Sequence, residues 1–113
     1  MDMLILWLRV QSRVQGTRSA EEIDVAAAQH KRLRIVGECK WTTRPMPLSV
    51  LTDLRDFKIP AVAEEGRLKV AAEGPEILLF SRSGFAPALE TEADADPKIT
   101  LIDLDMLLAG LTA

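Results

Sequence analysis

Cysteine and histidine are almost absent: the chain has one of each, Cys39 and His30. One cysteine excludes a disulfide within the chain, and the pair is too few for a Cys/His zinc site built by a single chain. This usage fits a reducing, cytoplasmic setting. Long apolar runs are missing as well. The opening Met3–Leu8 is too short to span a bilayer, and it lacks the basic flank and small-residue cleavage site of a secretion signal. There is no internal repeat and no low-complexity tract. No strong excess of positive charge exists either, since the formal net charge is −3. Total charge therefore gives no argument for nucleic-acid binding.

What is present suffices for one domain. The 113 residues are 48% hydrophobic, enough for a single modest core and too many for wholesale disorder. We read residues 1–113 as one unit in which residues 1–20 form an atypical amino-terminal strand and turn. Charge is unevenly spread. Residues 1–58 hold ten Lys/Arg against seven Asp/Glu, and residues 59–113 hold four against ten. A polyanion should therefore approach the amino-terminal half, unless the unevenness is merely a solvated surface.

The informative stretch is Glu22–Trp41, EIDVAAAQHKRLRIVGECKW. Two apolar runs, Ile23–Ala28 and Leu33–Gly37, flank Gln29-His30-Lys31-Arg32, which predicts a β-hairpin with a loop of about four residues. A loop centred on Lys31 sets Asp24 opposite Glu38. That register puts Glu22, Asp24, Glu38 and Lys40 on one face, and Ile23, Val25, Gly37, Cys39 and Trp41 on the other. Opposed carboxylates repel by a few tenths to about 1 kcal/mol, so something cationic should sit between them. A hard divalent ion with oxygen ligands would serve, and so would Lys40 through cross-strand salt bridges on a wet face. Cys39 is expected in the core, His30 at a solvated loop tip, and Trp41 and Phe85 packed rather than stacking on bases.

Upstream, Leu4–Val14 alternates and predicts a third antiparallel strand, followed by a turn at Gly16–Ser19. Downstream, Pro47 suits the first turn of an amphipathic helix to about Lys58. There Leu48, Leu51, Leu54 and Phe57 point inward, and Asp53, Arg55 and Asp56 outward. Residues 59–75 give no firm assignment, only a helical turn near 61–65 or a frayed strand near 68–71. Glu76–Ser81 reads as a strand covered on both faces. Ser83 looks like the cap of a helix that takes Pro87 in its first turn and runs to about Ala93. Lys98–Ile102 is a last strand, and Leu104, Leu107, Leu108 and Leu111 mark a closing helix. Antiparallel strands followed by α/β crossovers predict an α/β fold: a mixed sheet with flanking helices.

The spacing Asp24, thirteen residues, then Glu38-x-Lys40 resembles the signature of the PD-(D/E)xK, or restriction-endonuclease-like, nuclease superfamily. The strings EIDVAAA, IVGECKW and ILLFSRSGF resemble the nuclease-like carboxy-terminal domain of prokaryotic, archaeal-type AAA ATPases, over about Glu22–Leu111. The resemblance implies a restriction-endonuclease-like fold, truncated at its amino terminus. It implies a metal-dependent nuclease in which Asp24, Glu38 and the Cys39 carbonyl bind Mg²⁺ or Mn²⁺ and Lys40 assists the attacking water. Glu22 would be an outer-shell ligand, and Ser81, Arg82 or Ser83 would hold a phosphate of DNA. An AAA-type ATPase would be the partner, because the chain has no G-x-x-x-x-G-K-[ST] loop of its own. The competing expectation is a non-catalytic module that keeps the fold and docks such an ATPase, or pairs with itself as a homodimer.

Overall fold

The computed structural model describes the backbone of residues 3–14 and 17–112, and the side chains of residues 24–111. The chain forms the expected α/β mixed sheet. Five strands lie in the order β1-β2-β3-β4-β5. They are β1 (Met3–Val14), β2 (Thr17–Gln29), β3 (Arg32–Lys40), β4 (Glu76–Ser81) and β5 (Ile99–Asp103). The first three pair antiparallel, and β3-β4-β5 pair parallel. The residues expected to turn at Thr17–Ser19 are already in β2; Gly16 lies outside the described residues.

The β2–β3 hairpin keeps the expected register near its open end, where Val25 faces Gly37. Its loop is shorter than expected. Gln29 faces Arg32, leaving only His30 and Lys31 between the strands, both with positive φ (52° and 63°). Two left-handed residues in a two-residue loop match the type I′ turn, whose twist suits a hairpin. The register then shifts between Ala27 and Ala28, and Arg34 is the extra residue on β3. A bulge therefore absorbs what was expected as loop.

Between β3 and β4 the chain is helical from Leu48 to Glu65, not only to Lys58: α1 (Leu48–Asp53), a π-helical turn (Leu54–Lys58) and α2 (Ile59–Glu65). Pro60 cannot donate to the carbonyl four residues back, and its ring crowds that carbonyl. The widened turn just before it, with Ile59 N–H bonded to Leu54 O, relieves the conflict. The extra residue also rotates the buried face. Leu51, Leu54, Ile59 and Val62 are buried, while Phe57, expected inward, is 42% exposed. Arg55, expected outward, instead bridges to Glu92 and Asp96. Between α2 and β4, Lys69 forms an isolated parallel bridge with Arg32.

Helix α3 (Pro87–Ala95) joins β4 to β5, and α4 (Leu104–Thr112) follows β5. Ala86, not Ser83, precedes α3 as its cap. The Ser83 hydroxyl donates to the Thr42 carbonyl instead. Leu51, Leu54, Val62 and Leu89 from the helices share one core with Val36, Ile77, Leu79 and Ile99 from the sheet. The helices of both parallel crossovers thus cover one sheet face, as right-handed connections require. Leu78 and Phe80, on the other face, are only half-buried, so β4 is not covered equally on both sides. Among the described residues no helix is long and apolar enough to cross a membrane.

Candidate metal and phosphate site

Parallel neighbours share a face, and Val36 faces Ile77, Glu38 faces Leu79 and Lys40 faces Ser81. Val36, Ile77 and Leu79 belong to the helix-side core, so Glu38, Lys40 and Ser81 lie on that side too. On β2, Ala26 faces Val36 and is fully buried, which puts Asp24, two residues before it, on the same face. Asp24 also falls at an irregularity. Leu6 faces Ala26 but Leu8 faces Ile23, so Asp24 and Val25 together oppose one residue of β1. Bulges of this kind re-aim side chains at strand ends.

Asp24 Oδ2 accepts a hydrogen bond from the Cys39 backbone N–H at 2.7 Å. This bond stands one step past the last ladder pair, Val25 with Gly37. A carboxylate therefore takes the place of a β2 carbonyl, and is held against the Glu38–Cys39 peptide. The N–H and C=O of one strand residue leave toward the same edge, so the Cys39 carbonyl also lies on the β2 side. Its thiol is on the other sheet face and exposed, not in the core. A Cβ on Gly37 would there meet Val25 and Phe80 at 3.4 and 3.7 Å, ordinary contact distances.

Glu38 is 3% exposed, and Lys58 Nζ lies 2.8 Å from its Oε1. Lys58 comes from the last position of the π-helical turn. Burial pushes the Glu38 carboxyl above its ordinary value; Lys58 opposes this, the Asp24 charge adds to it, and Lys40 opposes it. Desolvation is thus stronger than the ion pair. Loss of solvation also raises the Cys39 thiol, with Asp24 and Glu38 adding to the effect.

Asp24, Glu38, the Cys39 main chain and Lys40 are thus brought together, with Ser81 in register beside Lys40. The Ser81 hydroxyl is buried and has no hydrogen-bond partner among the described residues. Arg82 is exposed, and Ser83 is half-buried and bonded to Thr42. The side chain of Glu22 lies outside the described residues. His30 sits in the hairpin turn, at the opposite end of β3 from Lys40. Lys58 is the residue the sequence reading missed. It stands seven residues after Leu51 and four after Leu54, the spacing of the inward helix face, and that spacing is the signal that could have found it.

The donors that could face a cation are hard oxygens, the chemistry of Mg²⁺ or Mn²⁺. Among the described residues no three His, Cys, Asp or Glu side chains cluster. An ion here would have two carboxylates and a main-chain oxygen. No family model matches the chain, and no curated protein matches it. Among solved structures the chain is similar to a protein of unknown function, AF1548, with a TM-score of 0.55 at 18% identity. The match covers 94% of this chain and 58% of that one, so the chain spans less than two thirds of AF1548. At this identity the likeness shows a shared fold and assigns no activity.

Proposed function

We propose that the chain is a metal-dependent phosphodiesterase acting on DNA, built on a restriction-endonuclease-like core. The observation that carries this reading is the bond from the Cys39 N–H to Asp24, which holds one carboxylate beside the peptide that follows Glu38. The residues fit a hard divalent ion: Lys58 engages Oε1 of Glu38, leaving Oε2 for a second cation, and Asp24 keeps Oδ1. Bound Mg²⁺ or Mn²⁺ would supply an acidified water and charge stabilisation at the phosphate. Lys40, on the same face, orients that water or steadies the negative charge that grows on the phosphate. Lys58 opposes the rise that burial imposes on the Glu38 carboxyl and so favours the charged form that binds a cation. The Ser81 hydroxyl, next to Lys40 in the sheet, is an unpartnered polar group buried at the edge of this site.

One observation favours a second reading. The Lys58–Glu38 pair already supplies a cation to the buried carboxylate without any metal. In that case the fold is an interaction module that docks an AAA-type ATPase or a second copy of itself. Plasmid nicking separates the two. The hydrolase nicks supercoiled DNA with Mn²⁺, does not with EDTA, and loses the activity in Lys40→Met. A protein that leaves the plasmid intact under all conditions is the module.

A further inference from the structure

We propose that the surface beside Lys40, formed by residues 41–46 and 81–86, binds an unpaired nucleic-acid strand, with Trp41 stacked on a base and Arg44 and Arg82 on flanking phosphates. It rests on the hydrolase reading only for where the scissile phosphate would lie. The two segments are one surface, because Arg82 N–H bonds Lys40 O, Ser83 Oγ bonds Thr42 O, Met46 N–H bonds Gly84 O and Ala86 N–H bonds Met46 O. Gly84, with φ of +82°, permits the turn that makes the last two bonds. Met46 is 1% exposed and belongs to the core, and Phe85 packs against that core. The surface is therefore anchored from below.

On this anchored base Trp41 and two arginines are among the side chains left in water. Trp41 is 53% exposed, and Arg44 and Arg82 are both exposed. No described carboxylate pairs with either arginine, whereas Arg55 and Lys58 are both engaged. Residues 39–52 and 77–89 contain Lys40, Arg44 and Arg82 and not one Asp or Glu. In a chain of net charge −3 this is a locally cationic zone. Cations beside an exposed indole match a polyanion that also offers a flat π face. In duplex DNA those faces are already stacked on one another, so an unpaired strand suits the surface better. The zone begins at the residue after Lys40, at the end of β3 that also carries Glu38. Ser81, buried and unpartnered beside Lys40, lies at the boundary between the two.

Fluorescence anisotropy with a labelled oligothymidylate, in EDTA so that nothing is cut, tests this. The expected result is tighter binding of the single strand than of a duplex of equal length. Trp41→Ala should weaken it about tenfold, and Trp41→Phe should retain most of it. Arg44→Ala and Arg82→Ala should each lower the slope of log affinity against log salt by about 0.7. Equal binding of duplex, unchanged binding by Trp41→Ala, or no binding at all overturns the proposal. Wild type that binds the strand in this way but neither nicks plasmid nor takes up Mn²⁺ defeats the hydrolase reading alone. Nicking with full strand affinity in Trp41→Ala defeats this inference alone.

Discussion

Lys58 Nζ lies 2.8 Å from Glu38 Oε1, and the two side chains are 18% and 4% exposed. The pair joins the helical segment to the sheet at the point where Asp24 also converges. Burial disfavours the charged form of this carboxylate, and the Lys58 ammonium opposes that effect. Replacing Lys58 by Met should therefore leave Glu38 buried without a counter-charge. The expected loss is about 2–4 kcal/mol of folding stability at pH 7, measured by urea denaturation. A loss under 0.5 kcal/mol would mean that the pair is solvated and energetically idle.

The raised Glu38 carboxyl fixes the direction of a pH effect. Its folded pKa lies above its ordinary value of 4.5, so between the two values the folded state holds more proton than the unfolded one. This group's contribution to stability is complete below 4.5 and is lost as pH rises through the raised value. Glu38→Gln should remove that slope, so the variant's stability relative to wild type rises with pH across the window. Denaturation curves between pH 4 and pH 8 measure it, and a relative stability that falls with pH would reverse the assignment.

Asp24 has a structural task as well as a proposed chemical one. Asp24→Ala removes the acceptor for the Cys39 N–H and should cost about 1–2 kcal/mol. Asp24→Asn keeps an acceptor oxygen and should cost less, while losing the charge that a cation would need. Equal destabilisation by both variants would show that charge, not the hydrogen bond, sustains the site.

Cys39 is exposed, yet lost solvation and two nearby carboxylates hold its thiol above the ordinary value. Iodoacetamide should reach it but react more slowly at pH 8 than with a free thiol, because less thiolate is present. Neutralising a carboxylate in Asp24→Asn should speed the reaction. A rate at or above that of the free thiol would contradict the placement of the two acids.

Most of the topology was legible because strand and helix periods are local properties. Three strands, then helix, strand, helix, strand, helix follow from apolar spacing, and the face shared by Asp24, Glu38 and Lys40 follows from the alternation of a strand. The departures arise where one residue is inserted. Arg34 bulges from β3 and shortens the hairpin loop to His30-Lys31. The π turn at Leu54–Lys58 leaves Phe57 exposed, where an unbroken helical period predicts it inward. Each insertion changes which side chains share a face beyond it, and no fixed period in the sequence encodes that. Ser83 was misread for another reason: a hydroxyl before a helix can cap it or bond a neighbouring loop, and the Thr42 carbonyl is a tertiary partner.

Whether Asp24 and Glu38 jointly bind a divalent ion is settled most directly by calorimetric titration of Mn²⁺ into wild type and into Asp24→Asn, whose hydrogen bond to Cys39 survives. The expected result is a single saturable site in wild type, weakening as pH falls through the raised Glu38 value, and none in the variant. Equal heats from both proteins, or no site in either, would contradict a metal centre. Lys58 would then remain as the cation that Glu38 keeps.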